Sequence, residues 1–251
     1  SIKLAKKLIN LAKKNGADAV KFQYIEPEKL LNKNISPEKI NFLNKICLNF
    51  SKFLELKKYA DKIGIIFLCS IFNDEKNKIF SRLVPAFKIA SGDNNNIKNI
   101  NNLIKYKKPI FLSTGMLTNL EIKKILKKIK IKKNKLSDKL CLMHCVSNYP
   151  LEKKDINLNK INFLKKLNVT IGYSDHSLGI QACMVAASLG ARVIEKHFTI
   201  NHNYSTFRDH QLSMNPEQLK DLALSLKEIN EIIGKNENQI PISEKKNITQ
   251  N

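Results

Sequence analysis

Polar side chains follow a predicted buried strand in the segment IGYSDHS, residues 171–177. The apolar run that begins at Val169 predicts a strand, and Ser174, Asp175 and His176 stand at its carboxyl end. Buried parallel strands are apolar along their length, and polar groups removed from water cost free energy unless they are paired or bind a ligand. The segment therefore indicates a strand end that carries chemistry.

Lysines and hydroxyl groups occupy several other predicted strand ends. Lys21 and Lys88 lie in two of them, and the hydroxyl residues are Ser70, Ser91, Ser113, Thr114 and Ser147. Two buried lysines without an obvious internal acid repel each other and shed protons, whereas a bound anion with two or more charges removes that penalty. Hydroxyl donors suit phosphate and carboxylate oxygens. We therefore predict an anion site, although one lysine could instead pair with a carboxylate such as Asp93.

Two histidines end the last two predicted strands. His176 and His197 would lie side by side there, because adjacent strands are about 4.8 Å apart. Two imidazoles with water and substrate oxygens suit Mn²⁺, Fe²⁺, Co²⁺ or Zn²⁺, and Asp175 or Glu195 could orient an imidazole. The spacing alone favours a hydrogen-bonded pair of core histidines. A Ser-His-Asp hydrolase is not indicated, because the chain has no GxSxG turn.

Seven short apolar segments must position these residues. They are residues 19–23, 65–70, 86–91, 109–114, 140–146, 169–175 and 192–199, and helical patterns lie between them. Gly16 follows the first helix, residues 118–121 form a capping-box pattern, and Asn215-Pro216 starts the last helix. Strands that alternate with helices predict parallel βαβ units with right-handed crossovers.

The polar residues are spread over the ends of nearly all seven strands. A barrel gathers such ends at one mouth, whereas an open doubly wound sheet uses mainly its switch point. No glycine-rich phosphate loop follows an early strand, and the chain opens directly with a helix. The predicted fold class is α/β, a (β/α)8 TIM barrel apparently lacking its first strand, over residues 1–234. Residues 235–251 are interpreted as a linker.

The composition agrees with a folded protein of barrel size. The chain has 251 residues, 43% of them hydrophobic and 26% charged, without an apolar run of membrane-spanning length. Five cysteines without a CxxC pair predict reduced thiols in a cytoplasmic protein. The formal charge of +22 comes from lysines on polar helix faces, with only three arginines. We expect neither a nucleic-acid nor a membrane partner.

Seven motifs occur in the order GADAVKFQ, KIASGD, PIFLSTGM, LMHCVSNYP, IGYSDHSLG, GARVIEKHFT and DHQLSMNP. They resemble the sialic acid synthase family, which comprises N-acetylneuraminate synthases and their legionaminate and pseudaminate relatives. The resemblance spans practically the whole chain. It implies a metal-dependent condensation of phosphoenolpyruvate with an open-chain N-acetylated hexosamine, such as N-acetylmannosamine. The products would be a nine-carbon 2-keto sugar acid and phosphate.

The resemblance also implies roles for the residues at the strand ends. Those that would bind phosphoenolpyruvate are Lys21, Ser70, Lys88, Ser91, Ser147 and Ser174, and the residue pattern adds Ser113. Those that would face the sugar are Gln23, Asp93, Tyr149 and Asp209. His176 and His197 would hold Mn²⁺ or Mg²⁺, and with Lys21 and Lys88 they form the predicted catalytic set.

The chain departs from the family's pattern at both ends. Family members begin with a strand that carries an acidic residue and an Asn-His pair, and nothing here matches it. The segment PISEKKN resembles the stretch before a C-terminal antifreeze-like domain that reaches across a dimer. We therefore expect a truncated barrel and, in the longer protein, a second domain and a homodimer. The alternatives are a non-catalytic sugar- or anion-binding barrel and another enzyme that condenses phosphoenolpyruvate with an aldose.

Overall fold

The computed structural model describes residues 1–30, 37–205, 209–234, 240 and 243–245. Within them, seven parallel strands form one sheet whose order follows the chain from first to last. The strands are β1 (Ala19–Tyr24), β2 (Ile66–Ile71), β3 (Phe87–Ile89), β4 (Ile110–Ser113), β5 (Leu140–Cys145), β6 (Thr170–Asp175) and β7 (Val193–Lys196). Each predicted strand is confirmed, with ends that differ by a few residues.

Helices connect the strands. In chain order they are α1 (Ile2–Lys14), α2 (Pro27–Leu30), α3 (Pro37–Ile46), α4 (Phe50–Lys62), α5 (Asn77–Phe80), α6 (Ile97–Ile104), α7 (Asn119–Lys128), α8 (Leu136–Lys139), α9 (Lys160–Lys165), α10 (Gln181–Ser188), α11 (Asp209–Leu212) and α12 (Pro216–Ile233). The predicted capping box forms at Thr118, and the predicted helix start at Asn215 is confirmed and also forms a capping box, in which side chain and backbone exchange hydrogen bonds. Gly16 follows α1 with φ 93°, as expected of a residue that ends a helix. None of the helices in the described ranges is long and apolar enough to cross a membrane.

The sheet curls until its two edge strands approach each other. β1 pairs with β2, and β7 pairs with β6. Across the remaining gap, Lys21 Nζ on β1 lies 2.8 Å from Glu195 Oε1 on β7. Sequential parallel strands that curl in this way form an α/β barrel, so the predicted fold class is confirmed. The strand expected before α1 and the linker over residues 235–251 stay predictions. Most of residues 235–251 lie outside the described residues.

The hydrophobic core lies between the sheet and the helices. Tyr24 packs against Phe53 and Phe80 with ring centres 5.2 and 4.9 Å apart, and both phenylalanines are almost fully buried. Burying each of them contributes roughly 1.5–3 kcal/mol. This outer core holds the strands in place, so that their inward faces are free to carry polar side chains.

Candidate active site

The strand register places the predicted site residues on the inner face of the barrel. Ser70 pairs with Lys88 across β2 and β3, and Ser174 pairs with Glu195 across β6 and β7. Paired residues point to the same side of a sheet, and so do residues two apart on one strand. Lys21 belongs to the same face, because its ammonium group reaches Glu195.

Two lysines share one carboxylate at the centre of this face. Glu195 Oε1 lies 2.8 Å from Lys21 Nζ, and its Oε2 lies 3.4 Å from Lys88 Nζ. Lys88 also donates a hydrogen bond to Ser113 Oγ at 2.7 Å. The prediction that the two lysines have no internal acid is therefore wrong, and the acid is Glu195 rather than Asp93. With both lysines protonated, the cluster keeps one net positive charge.

The electrostatics of this cluster follow from its burial. Burial raises the pKa of Glu195, but the charges of Lys21 and Lys88 and their hydrogen bonds outweigh it and lower the pKa to about 2. Burial also lowers the pKa of Lys88, and the charge of Glu195 opposes that shift. Glu195 is thus a carboxylate at neutral pH, and it favours the charged form of Lys88 in the absence of a substrate.

Hydroxyl groups complete the inner surface. Ser70 Oγ is buried without a hydrogen-bond partner among the described residues. The hydroxyls of Ser91 and Ser147 converge on Gly115, because a Cβ added there would lie 2.5 Å from each oxygen. A pair of converging hydroxyls and a buried, unpaired one are the donors that an anion would satisfy. Thr114, by contrast, already donates to the Met143 carbonyl at 3.1 Å.

The two histidines lie next to each other at the ends of β6 and β7. Their ring centres are 5.5 Å apart. His176 Nδ1 lies 2.8 Å from the Val146 carbonyl oxygen, which can only accept, so Nδ1 carries the proton and Nε2 keeps a lone pair. Burial and the neighbouring His176 and Lys21 lower the pKa of His197 to about 4, and burial lowers the pKa of His176. Both rings are therefore neutral at pH 7.

Two neutral imidazoles at this separation fit a divalent ion as two of its ligands. Rings that bind one ion through nitrogens at about 2.1 Å place their centres roughly 4.5–5.5 Å apart. In the described part of the chain, no group of three or more His, Cys, Asp or Glu residues could hold a metal. The remaining ligands would thus be water and substrate oxygens.

The two carboxylates expected to orient the imidazoles form ion pairs with lysines instead. Asp175 lies on the opposite face of β6, where Lys196 Nζ is 2.5 Å from its Oδ2. Glu195 binds the two lysines instead. The predicted orienting role of these two carboxylates is therefore wrong, and for His176 the Val146 carbonyl takes it.

The residues predicted to face the sugar lie near the histidines or at the rim. The Tyr149 ring centre is 4.1 Å from that of His176 and 6.0 Å from that of His197. Asp209 is close enough for its charge to oppose the lowering of the His197 pKa. Asp93 is half-buried in the turn after β3, where burial raises its pKa, and Gln23 is exposed near the end of β1.

Two features of the site were missed from the sequence. Alternation along β7 places Glu195 on the same face as His197, and that signal could have identified it as a partner of the inward lysines. Gly115 has no such signal, because its importance depends on two serines from other strands. Cavities of about 450 and 460 Å³ lie elsewhere, beside Arg82 and beside Cys47, so chemistry rather than cavity size locates this site.

Comparisons with known proteins identify the family of this chain. The model described as NeuB family matches residues 8–238. The uncharacterized protein MJ1065 of Methanocaldococcus jannaschii is 39% identical over 249 residues, which cover 98% of this chain and 72% of that one. The N,N'-diacetyllegionaminic acid synthase of Legionella pneumophila is 34% identical over 261 residues, which cover 96% of this chain and 73% of that one.

A solved structure shows the same similarity. The crystal structure of N-acetylneuraminic acid (sialic acid) synthetase from Leptospira borgpetersenii matches with a TM-score of 0.89 and 31% identity. The match covers 99% of this chain and 86% of that one. The resemblance carried by the seven sequence motifs is therefore confirmed, and the chain belongs to the NeuB family of sialic acid synthases.

Proposed function

We propose that this chain condenses phosphoenolpyruvate with an open-chain N-acetylated hexosamine, giving a nine-carbon 2-keto sugar acid and phosphate. One observation carries the proposal: the Lys21–Glu195–Lys88 cluster faces the same barrel interior as the pair His176 and His197. A neutral sugar alone needs no buried lysines, and an anion alone needs no imidazole pair. The sialic acid type of synthase named for the relatives supports the same reaction.

The cationic cluster would bind the phosphate and carboxylate of phosphoenolpyruvate. Lys21 and Lys88 supply charge, and Ser70, Ser91, Ser113, Ser147 and Ser174 supply neutral donors. Hydrogen bonds to charged groups contribute about 1.5–3 kcal/mol each, so a few of them account for binding of a small anion. Glu195 offsets part of the positive charge of this cluster and opposes the effect of burial on the pKa of Lys88.

The histidine pair would hold a divalent ion, Mn²⁺ or Mg²⁺. When bound, such an ion supplies Lewis-acid polarisation of the aldehyde oxygen of the sugar. The protein's part is to orient the ligands: the Val146 carbonyl fixes the tautomer of His176, and the Tyr149 ring packs against its face. Tyr149, Asp209, Asp93 and Gln23 would position the sugar around that oxygen.

The reaction then follows from the placement of the two substrates. C3 of the enol attacks the aldehyde carbon, and positive charge develops at C2. The lysines and hydroxyls hold the phosphate and carboxylate in place while that charge shifts, which lowers the barrier by orientation and electrostatic stabilisation. The aldehyde oxygen becomes a hydroxyl by taking up a proton. Water adds to C2 and loses a proton, and phosphate leaves by cleavage of the bond between C2 and its bridging oxygen, which leaves the keto group at C2.

The setting of the enzyme belongs to the same proposal. The five cysteines are free thiols in the structure, which supports a reducing compartment such as the cytoplasm. A homodimer is proposed from the family resemblance alone.

The test is release of phosphate from phosphoenolpyruvate with N-acetylmannosamine, with and without Mn²⁺, by the full-length protein. The diacetamido hexose implied by the product of the Legionella relative is the second sugar to try. Activity that requires sugar and metal is expected, and His176→Ala or His197→Ala should abolish it. The matched control is His202→Ala. His202 lies in the loop after β7, and its ring contacts Gln218 on α12. Binding of phosphoenolpyruvate without turnover with any N-acetylated hexosamine would support an anion-binding barrel instead.

A further inference from the structure

A buried ion pair lies directly behind the histidines, on the helix-facing side of the sheet. Asp175 and Lys196 are register partners on β6 and β7. Lys196 Nζ lies 2.5 Å from Asp175 Oδ2, and the two side chains are 1% and 0% exposed. An ion pair so fully removed from water is rarely more stable than a pair of apolar side chains of the same size. Its presence therefore calls for a role other than stability.

The pair is the centre of a buried hydrogen-bonded network. Asp175 Oδ1 accepts hydrogen bonds from the Tyr173 hydroxyl at 2.8 Å and from the Ser177 amide and hydroxyl at 2.9 and 2.7 Å. Lys196 Nζ donates a second bond to the Ser177 carbonyl at 2.5 Å. With hydrogen bonds on Asp175 from Tyr173, Ser177 and Lys196, the network favours one arrangement of the chain.

The same network fixes the ends of the two strands that the inward-facing histidines directly follow. Asp175 stands between Ser174 and His176, and Lys196 stands between Glu195 and His197. Because neighbours on a strand point to opposite faces, a bond across the back of the sheet sets the depth of the side chains on its front. A further hydrogen bond fixes the backbone of His176, because its carbonyl accepts from the Leu151 amide at 3.0 Å.

We propose that the Asp175–Lys196 ion pair is a positioning pair that holds His176 and His197 at the separation required to bind one divalent ion. This inference rests on the proposed function, because the metal site is part of it. Neither residue of the pair touches the substrate or the ion. The pair acts through the register of β6 and β7 and through the turn at Ser177.

The test is Mn²⁺ binding by the full-length protein in the absence of substrates. Lys196→Met should weaken Mn²⁺ binding in isothermal titration calorimetry by about 10- to 100-fold, as expected for residues that support metal ligands. Electron spin echo measurements on the bound Mn²⁺ should count one coupled imidazole nitrogen in the variant and two in the native protein. A role in stability alone would not change that count.

Lys108→Met is the matched control. Like Lys196, Lys108 donates two hydrogen bonds, in its case to the backbone carbonyls of Ser81 and Val84, each at 2.5 Å. It lies at the opposite end of the barrel. This variant should bind Mn²⁺ as the native protein does. An equal loss of affinity in Lys108→Met would show a general effect of destabilisation and would overturn the positioning role.

The outcomes separate this inference from the function on which it rests. Native affinity and two coupled nitrogens in folded Lys196→Met overturn the positioning role and leave the metal site standing. A native protein that binds no Mn²⁺, or a His176→Ala variant that binds it normally, overturns both. If Lys196→Met does not fold, Asp175→Asn/Lys196→Met removes both buried charges, and the same affinity and nitrogen count decide.

Discussion

Lys21 and Glu195 connect the first and last strands of the sheet through an ion pair with a Nζ–Oε1 distance of 2.8 Å. Their strands have other strand partners, β2 and β6, so this contact spans the gap between the two edges of the sheet. The pair is only partly exposed, at 23% and 21% of the side chains. It stabilises the curled sheet, and it also places a carboxylate where a substrate anion would meet the lysines.

Glu195→Gln should therefore tighten the binding of phosphoenolpyruvate. The change removes one negative charge that lies within 3.4 Å of both ammonium groups. A pair at that range interacts by about 4 kcal/mol at an effective dielectric of 20, so a gain of about tenfold in affinity is a conservative expectation. Titration calorimetry at pH 7 measures it. Glu152→Gln, which removes an exposed partner of Lys154, should leave affinity unchanged.

Weaker binding by Glu195→Gln would contradict this interpretation. It would mean that Glu195 acts chiefly by keeping Lys88 protonated, because burial alone lowers the pKa of that lysine. Binding would then recover as the pH is lowered, which the same titration at pH 6 would show.

Ser70→Ala should separate stability from substrate binding. Its buried hydroxyl has no partner among the described residues, so its removal should leave the free energy of unfolding unchanged or raise it by about 1 kcal/mol. The KM for phosphoenolpyruvate should rise several-fold, because a donor to the anion is lost. Denaturant unfolding and steady-state kinetics measure the two effects.

Thr170→Val provides the opposite case for comparison. The Thr170 hydroxyl donates to the Ser137 carbonyl at 2.7 Å, away from the site at the start of β6. This variant should lose about 1 kcal/mol of stability and keep the native KM. A Ser70→Ala protein that loses stability and keeps its KM would show that Ser70 serves the fold rather than the substrate.

Much of the architecture could be predicted from local patterns. Apolar runs in the sequence located each strand of the described residues, and period-two alternation placed Lys21, Ser174 and His197 on inward faces. Capping residues such as Thr118 predicted where helices begin, since they satisfy backbone groups within one turn. Each of these signals depends on residues that are close together in the chain, so a single sequence is enough to recognise it.

The partners within the site could not be predicted in the same way. Asp93 is near Lys88 in the chain, but the carboxylate that reaches Lys88 is Glu195, on the last strand. Asp175 is adjacent to His176, but it binds Lys196 on the far face of the sheet. The Glu195 contact depends on closure of the barrel, which brings the last strand beside the first and is not encoded by spacing along the chain. Alternation along β6, by contrast, does place Asp175 and His176 on opposite faces.

Gly115→Ala should disrupt the phosphate site without unfolding the protein. The new Cβ would lie 2.5 Å from the hydroxyl oxygens of Ser91 and Ser147, and both hydroxyls can rotate away. It would also lie 3.0 Å from Ser91 Cβ, so the turn that carries Ser91 must shift slightly. The KM for phosphoenolpyruvate should rise by tenfold or more, which corresponds to a loss of about 1.4 kcal/mol in binding. Steady-state kinetics with the sugar at saturation provide the measurement.

Gly92→Ala is the matched control for Gly115→Ala. Gly92 follows Ser91 directly, and a Cβ added there meets no atom within 4 Å. Its KM should equal that of the native protein. Equal KM values for all three proteins would show that Ser91 and Ser147 do not bind the phosphate together.

Lys88→Ala should raise the KM for phosphoenolpyruvate more than the KM for the sugar. Lys88 contacts Glu195 and Ser113 deep in the barrel, whereas the sugar is expected beside the histidines. Loss of a buried cation that binds a dianion should raise that KM by at least about 30-fold, at the lower end of the 2–5 kcal/mol seen for buried charged contacts. Lys108→Ala is the control, and a larger effect on the sugar's KM would assign Lys88 to the other substrate.

The histidine pair predicts how the stability of the metal-free protein depends on pH. The pKa of His197 is lowered to about 4, below its ordinary value of about 6.5, so the unfolded chain binds a proton in that interval and the folded chain does not. Stability therefore falls as the pH drops from 6.5 to 4, by up to about 3 kcal/mol for this residue. Glu195, with a pKa of about 2, keeps its contribution down to about pH 4.5 and loses it only as the pH falls further towards 2.

Chemical denaturation in the presence of EDTA measures the free energy of unfolding of the metal-free protein. Between pH 6.5 and 4.5 this free energy should decline less steeply for His197→Gln than for the native protein, and between pH 7.5 and 8.5 the two slopes should be parallel. Parallel slopes over both intervals would mean that the His197 imidazole keeps its ordinary affinity for protons and is not held neutral for a metal.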